Sequence, residues 1–387
     1  MLRGLGGLFV LAGLVVAPSA CGARSELSVE DRSRTSGGGA GAPSVPLELC
    51  EEVAYEACTP VNDGPTVIRG DRLSRPDVAW FPGLGFLVAH DDVDDSRVDA
   101  VTLEGDSIWT SEVGTGRSPR LAVHPTRRRA AVVTDQGYGW MGPDGTVTYR
   151  VESPQPSDRF NSQLAAVDDG FVVVTGPVSD PTNTATAVSL RLPLTAGDVV
   201  RDAFYPDPPT PRIDRSLDVG FLLDRIGFES NPDDGLGLAT FRDDDGLVLD
   251  ASAFRGTSTN FVDGFFTEGA DALFIFGGTV GFAVSRLEPD GTVTDNAVFA
   301  GEALAGFTAE RLGDASGLHD VVLAVTGLLP DQTSIARYVD AEGALRDPIA
   351  VGPGGSASRI ARYDRGVVVV WLEGDDILLR AVDCCLD

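Results

Sequence analysis

The chain has 387 residues, of which 43% are hydrophobic, so it can bury the core of one large or two ordinary domains and is not wholly disordered. Its formal net charge is −28, its pI is near 4.3 and its basic side chains, apart from three histidines, are all arginine. This negative field repels nucleic acid and anionic membranes, and it leaves cations, basic proteins and neutral sugars as candidate partners. Excess surface carboxylate also serves solubility alone.

Residues 1–20 have the pattern of a cleaved signal peptide. Arg3 gives the positive end, residues 5–17 form an apolar run, and Pro18-Ser19-Ala20 supplies small residues before a cleavage point. The apolar run is too short for a membrane-spanning helix. The sequence therefore predicts export.

The residues that follow are Cys21-Gly22, and a cysteine at this junction resembles the lipobox of bacterial lipoproteins. The resemblance implies acylation of Cys21 and, because Gly22 replaces Asp, the outer membrane, with the protein on its periplasmic or outer side. Pro18 departs from the family, which most often has Leu there. Several acyl chains anchor a protein stably, so we expect membrane contact through this anchor alone. The alternative is an ordinary signal peptide with Cys21 free or paired.

Residues 21–48 are predicted to be a flexible tether. The stretch from Ser36 to Ser44 consists of Gly, Ala, Pro and Ser and has no apolar period, so it has nothing to bury. The folded domain is expected over residues 49–387.

The five cysteines fit an oxidising compartment. If Cys21 carries lipid, an even set remains, with two cysteines where the folded part begins and two where the chain ends: Cys50, Cys58, Cys384 and Cys385. A bond between the adjacent Cys384 and Cys385 would close a strained ring, so we expect each to pair with Cys50 or Cys58, in either order. The rival, a four-thiolate zinc site, suits adjacent cysteines poorly.

Short apolar runs recur along the domain at intervals of roughly 40 to 52 residues, the span of a four-stranded propeller blade. Their continuous hydrophobicity is typical of strands buried on both faces. Helical periodicity is nearly absent after the leader. The seven runs are Gly85–Ala89, Ala130–Thr134, Gly170–Val174, Gly220–Leu223, Ala272–Phe276, Val321–Val325 and Gly366–Trp371.

A Pro-Asp-Gly-Thr-Val-Thr sequence occurs twice, in Gly142–Thr148 and Glu288–Thr294, with looser copies at Asp243–Leu249 and Asp340–Arg346. Pro and Asp-Gly favour a tight turn, and Thr-Val-Thr favours a strand. Each unit then reads as a meander in which the apolar run is the second strand and this turn joins the third strand to the fourth.

The last unit has residues for three strands only, so we expect Thr66–Arg69 to supply its fourth strand and close the ring. Residues 60–387 thus resemble bacterial seven-bladed β-propeller lipoproteins, broadly WD40-like, although six or eight blades also fit. No repeated blade signature identifies a subfamily.

Candidate chemistry is sparse. His90, His124 and His319 each read as loop or cap residues, because a histidine and its sequence neighbour point to opposite faces of a strand. Weak calcium ligands are Asp91, Asp92, Asp94 and Asp95, which lack the full spacing of a calcium loop; otherwise we expect no cofactor. A sugar platform and core packing are the alternatives for the tryptophans, Trp80, Trp109, Trp140 and Trp371.

No catalytic motif is present, so the sequence favours a monomeric, non-enzymatic scaffold that binds a protein or glycan partner. An exported hydrolase or lyase with carboxylates in the propeller channel is the first alternative. A structural component of an envelope assembly is the second.

Overall fold

The computed structural model describes residues 31–34, 50, 52–69, 76–93, 95–124, 126–151, 163–167, 169–178, 186–204, 211–217, 220–227, 235–242, 248–256, 261–266, 272–278, 281–287, 293–300, 306–312, 321–329, 331–339 and 344–386. The predicted signal peptide, Cys21 and the tether, except 31–34, lie outside these residues. Within them, no helix is long and apolar enough to cross a membrane.

The described elements are almost entirely β-strands, which confirms the prediction of an all-β protein. A single short helix is found among them, the 3₁₀ turn Tyr55–Ala57. The strands that precede the repeated sheets are β1 (Asp31–Arg34), β2 (Thr59–Pro60) and β3 (Thr66–Arg69).

The following strands form consecutive antiparallel sheets, each a meander in which neighbours in sequence are neighbours in space. Sheets 1 to 4 contain β4 (Asp77–Phe81), β5 (Gly85–Asp92), β6 (Asp95–Val101) and β7 (Ser107–Thr115); β8 (Arg120–His124), β9 (Arg129–Val133), β10 (Gly137–Met141) and β11 (Val147–Val151); β12 (Gln163–Val167), β13 (Gly170–Val178), β14 (Thr186–Pro193) and β15 (Val200–Phe204); and β16 (Pro211–Leu217), β17 (Gly220–Gly227), β18 (Gly235–Arg242) and β19 (Val248–Gly256).

Two further sheets of four strands follow, and then a last sheet to which the chain after residue 353 contributes three. Sheets 5 to 7 contain β20 (Phe261–Phe266), β21 (Ala272–Gly278), β22 (Gly281–Leu287) and β23 (Val293–Ala300); β24 (Gly306–Arg311), β25 (Val321–Leu329), β26 (Gln332–Val339) and β27 (Ala344–Pro353); and β28 (Ser356–Tyr363), β29 (Gly366–Glu373) and β30 (Asp376–Asp383).

The seven apolar runs lie in the second strand of a sheet, except that the last residue of one run, Thr134, follows β9. In β5, Phe86 and Val88 point to one side and pack with residues of sheet 7, whereas Leu87 and Ala89 point to the other side and pack with residues of sheet 2. Successive side chains of a strand alternate between its faces, so a strand covered on both sides must be apolar throughout. This stacking of sheets explains the continuous runs.

The repeated turns connect third strands to fourth strands, as the sequence predicts: Gly142–Thr148 joins β10 to β11, and the other three lie at the equivalent points of sheets 4, 5 and 6. Asp144 accepts hydrogen bonds from the N–H and the hydroxyl of Thr146 at 3.1 and 2.9 Å, which lower its pKa. Gly145 follows with φ +78°, a left-handed conformation that suits glycine. Asp144 is therefore a turn residue.

The N-terminal segment completes sheet 7. β2 and β3 both pair antiparallel with β30, with Thr66 opposite Leu379 and Arg69 opposite Asp376. The first strands of the sheets also lie side by side in order from β4 to β28, and β28 lies beside β4. This order of sheets gives a propeller-like fold.

Two disulfides join the beginning of the domain to its end. Cys50 is bonded to Cys385, and Cys58 is bonded to Cys384. The sequence left the order of these two pairings open, and the structure shows which one is formed. Cys58 and Cys384 are buried in a core cluster with Trp371, while Cys50 and Cys385 are partly exposed. The described cysteines are thus all oxidised.

One strand lies within the segment predicted to be a flexible tether. β1 pairs antiparallel with β11, from Asp31 opposite Arg150 to Arg34 opposite Val147, and so extends sheet 2 by a fifth strand. The fourth strand of a sheet lies at its edge, so the backbone N–H and C=O groups on its outer side have no partner within the sheet. In sheet 2 the extended segment β1 pairs with these groups of β11.

Candidate functional site

A polar pocket lies where the N-terminal strand meets sheet 1. We call this junction, formed by β3, β30 and the β6–β7 turn, the seam. The pocket has a volume of about 260 Å³ and is lined by β3 together with side chains of β5, β6 and β7. Those that carry its chemistry are Thr66, His90, Arg97, Asp99, Ser107 and Thr110.

Strand alternation brings these side chains together. In β5, His90 lies on the same face as Phe86 and Val88, which is the face toward sheet 7. The register of the sheet pairs His90 with Arg97, and Asp99 with both Val88 and Thr110. The face of β5 that carries Phe86 and Val88 is thus apolar in the middle of the strand and polar near its end, where His90 lies.

His90 is the centre of this cluster and is almost completely buried, with 1% of its surface exposed. Its Nδ1 lies 3.0 Å from the carbonyl oxygen of Asp91, and its Nε2 lies 2.6 Å from Oδ2 of Asp99. A carbonyl and an ionised carboxylate only accept hydrogen bonds, so both contacts are hydrogen bonds when both ring nitrogens carry a proton, which is the imidazolium form.

The pKa of His90 reflects the same contacts. Burial by itself lowers this pKa, but the hydrogen bonds to Asp99 and to the Asp91 carbonyl, with the charges of Asp99 and Asp92, outweigh it and raise the pKa above its ordinary value of 6.5. An imidazole held between two acceptors has no lone pair for a substrate proton. While both contacts are kept, His90 has no free ring nitrogen with which to act as a general base.

Two further groups of the pocket are paired. Thr110 donates its hydroxyl to Oδ1 of Asp99, and Arg97 forms an ion pair with Asp92 across the β5–β6 hairpin. Two cations therefore face two carboxylates. The pocket has a balanced charge within a strongly acidic protein.

The N-terminal segment is fastened to the β6–β7 turn beside the pocket. The side-chain amide of Asn62 donates to the carbonyl of Glu104 at 2.7 Å. Gly105 has φ +91°, and a Cβ there would lie 1.7 Å from the hydroxyl oxygen of Thr66. Thr66 is thus in close contact with the backbone of the β6–β7 turn. This contact shapes the pocket, because Thr66 and Gly105 both line it.

The aspartates considered as calcium ligands do not converge in the described residues. Asp91 is buried and accepts a hydrogen bond from the N–H of Ser118 in the loop before β8, at 2.9 Å. Asp92 lies on the face of β5 opposite to Asp91 and forms an ion pair with Arg97. In the register of the sheet Asp92 lies opposite Asp95, at the end of the β5–β6 hairpin. Asp94 lies outside the described residues. In the part of the chain that is described, no group of three or more His, Cys, Asp or Glu side chains is disposed to hold a metal.

The other singled-out residues have packing contacts. His124 is buried, accepts from the N–H of Thr126 at 3.3 Å and packs edge-on against Phe171; His319 is outside the described residues. Trp109 and Trp140 donate to carbonyls of the following sheets, those of Pro143 and Pro193.

The remaining two tryptophans lie in the core. Trp80 packs against Phe86 and Tyr363, at ring distances of 5.0 and 5.6 Å, and Trp371 is fully buried. The four tryptophans therefore form no common platform, and none of them lines the pocket.

Sequence reasoning assigned His90 to a loop or cap, which is wrong, because His90 is a buried residue within strand β5. It excluded Asp91 correctly, since neighbours on a strand face opposite ways, and it did not consider Asp99 on the next strand. The available signal was the short hairpin around residue 93, which sets the register between β5 and β6.

No protein-family model matches the sequence, and no curated protein matches it. Solved structures with similar folds include hydrazine synthase of Kuenenia stuttgartiensis (12% identity, 82% of this chain and 97% of that chain, TM-score 0.55). They also include a periplasmic gluconolactonase of Pseudomonas aeruginosa (14%, 73% and 86%, 0.50) and a putative 6-phosphogluconolactonase of Bacteroides fragilis (13%, 72% and 85%, 0.50). At these identities the likeness shows the fold alone, a propeller-type fold.

Proposed function

We propose that this chain is an exported, lipid-anchored propeller that binds a protein or glycan partner in the bacterial envelope. Residues 1–20 would be its signal peptide, Cys21 its lipid attachment, residues 21–48 the tether and residues 49–387 the binding domain. One observation carries the binding function: the seam pocket is concave and polar, and its ionisable groups are engaged with one another and not available for proton transfer.

The proposal includes a closed ring of seven blades acting as a monomeric scaffold. Its support is the order of the first strands, including β28 beside β4, and the pairing of β3 with β30. The two disulfides support export, because such bonds form and persist in oxidising compartments. The outer membrane is proposed from the residues around Cys21 alone.

The test uses the mature chain with Cys21→Ser, which is free of acyl groups, oxidised and folded. It serves as bait for envelope extracts and is applied in parallel to a glycan array. Washing at high salt removes ions and proteins held only by the charge of −28. We expect a defined partner to remain after the wash; silence on the array and in the pull-down would contradict the binding function.

The second candidate is a hydrolase, in which the His90–Asp99 pair that lines the pocket would act once a substrate displaces one of the two hydrogen bonds of the ring. Two of the similar structures are named as lactonases, so a lactone is the substrate class to test. Release of acid from glucono-1,5-lactone, followed by pH-stat, would have to exceed the buffer rate. It would also have to fall at least tenfold in Asp99→Asn while remaining unchanged in Asp364→Asn, an exposed carboxylate in the β28–β29 turn. Turnover equal to buffer excludes this candidate.

A further inference from the structure

We propose that the seam pocket binds one neutral, hydroxyl-rich ring, such as a single sugar unit. This inference rests on the proposed binding function and assigns its ligand class. The first support is charge. His90 faces Asp99 and Arg97 faces Asp92, so the pocket offers no excess of either sign to an ionic ligand. An anionic ligand would also approach against the field of the whole protein.

The second support is the mixture of donors and acceptors. A guanidinium has five N–H donors, and one carboxylate uses at most two of them, so Arg97, with 46% of its side chain exposed, retains donors for a ligand. Asp99 accepts one hydrogen bond on each oxygen from His90 and Thr110, and each oxygen has a second lone pair. A sugar hydroxyl both donates and accepts, and so matches this pair.

The third support is shape and the apolar wall. Val67 of β3 lines the pocket and is 56% exposed, as few large hydrophobic side chains are among the described residues, and it offers an apolar surface to the C–H face of a ring. The hydroxyls of Ser107 and Thr110 lie on the wall formed by β7. A volume of about 260 Å³ suits one ring and not an oligosaccharide. Without an aromatic platform, affinity should be roughly millimolar.

The experiment uses the mature Cys21→Ser chain with its disulfides intact and measures saturation-transfer NMR with free sugars. Glucose, galactose and N-acetylglucosamine are the neutral probes, glucuronate is the anionic probe and glucosamine the cationic one. We expect a signal from at least one neutral sugar and a signal at least fivefold weaker from both charged ones. A charged sugar that binds as well as or better than the neutral ones would overturn the inference.

Variants locate the site. Arg97→Gln and Asp99→Asn should reduce the neutral signal at least fivefold, whereas Arg127→Gln, an exposed arginine in the turn between β8 and β9, should leave it unchanged. Because Asp99→Asn also disturbs His90, the exposed Ser107→Gln serves as a second blocking variant that leaves the buried network intact. An undiminished signal in Ser107→Gln and Arg97→Gln contradicts the assignment.

The outcomes separate this inference from the proposed function. A captured partner together with no signal from any neutral sugar overturns the pocket's ligand and leaves the binding function standing. Silence from capture, glycan array and sugars overturns both. A neutral-sugar signal that Ser107→Gln abolishes supports both.

Discussion

At the scale of the residue, the buried side chain of His90 links the stability of the protein to the pocket, because it contacts Asp99, which lines the pocket. His90 is almost completely buried and, as an imidazolium, is compensated by the carboxylate of Asp99, whose side chain is 14% exposed. Breaking such a pair from one side leaves a buried charge without compensation. The pair is therefore required for stability whatever the pocket binds.

We predict that His90→Asn lowers the free energy of unfolding by about 3 kcal/mol at pH 5 to 6. The folded pKa of His90 is raised, so the wild-type stabilisation is complete below the unfolded value of about 6.5 and is lost as pH rises through the folded pKa. The difference between wild type and variant should therefore shrink toward alkaline pH in urea titrations. A difference that grows with pH would show that His90 is neutral in the folded protein.

A second prediction concerns Gly105 and its close approach to Thr66. Gly105→Ala places a methyl group against the Thr66 hydroxyl and strains the backbone, whereas Gly374→Ala, at φ +64° with no atom within 4 Å, brings the backbone strain alone. We expect Gly105→Ala to cost about 1–3 kcal/mol more than this control, with faster hydrogen exchange in β3. Equal losses in the two variants would mean that the turn and β3 are not in contact in solution.

At the scale of the element, the N-terminal strand and its disulfides act together. β3 lies at the edge of β30 and beside the β6–β7 turn, and the disulfides hold the segment before it to the end of the chain. The two bonds span nearly the same stretch, 335 and 326 residues. When one of them is present, the other closes only a short additional loop.

This nesting predicts that the disulfides are strongly non-additive. In the chain-entropy model the first bond contributes about 6 kcal/mol and the second, closing roughly ten residues, about 3 kcal/mol. Cys50→Ser/Cys385→Ser should therefore cost about 3 kcal/mol, and Cys58→Ser/Cys384→Ser somewhat more because it buries two hydroxyls.

Replacing all four cysteines should cost about 9 kcal/mol, roughly three times the loss in Cys50→Ser/Cys385→Ser. Urea unfolding of the three variants measures this. If the fourfold variant does not fold, stepwise reduction of the native protein with hydrogen exchange at β3 gives the same comparison. Losses that simply add would mean that the two bonds stabilise independent parts of the chain.

At the scale of the whole molecule, sheets that stack face to face explain the continuous apolar runs in the described second strands. A second strand between two neighbouring sheets needs apolar residues throughout, because both of its faces are covered, as in β5. The net charge of −28 repels anionic surfaces.

We predict that Cys21→Ser releases the protein from the membrane without changing its fold. In a bacterial host with the lipoprotein pathway, the wild-type chain should sediment with the outer membrane and the variant should be found in the soluble periplasmic fraction. Thermal unfolding of the purified domain should be identical in the two. Soluble wild-type protein would instead support an ordinary cleaved signal peptide with an unmodified Cys21.

The sequence by itself determined the strand content, the second strand of each sheet and the place of the Pro-Asp-Gly turns. These features are local: an apolar run such as Gly366–Trp371 and a turn such as Asp144-Gly145 follow from alternation and backbone conformation over a few residues. The segment Thr66–Arg69 could also be selected, because the last unit visibly lacked a strand.

Only the tertiary structure decided which cysteine pairs with which, and that Asp99 is the partner of His90. Cys384 and Cys385 are adjacent, so spacing cannot distinguish them; the buried face of the last strand does. The seam pocket likewise joins Thr66 to Asp99 and Thr110, residues of three different strands. Such a site depends on strand register and on how a distant segment docks, and neither is encoded in a local pattern.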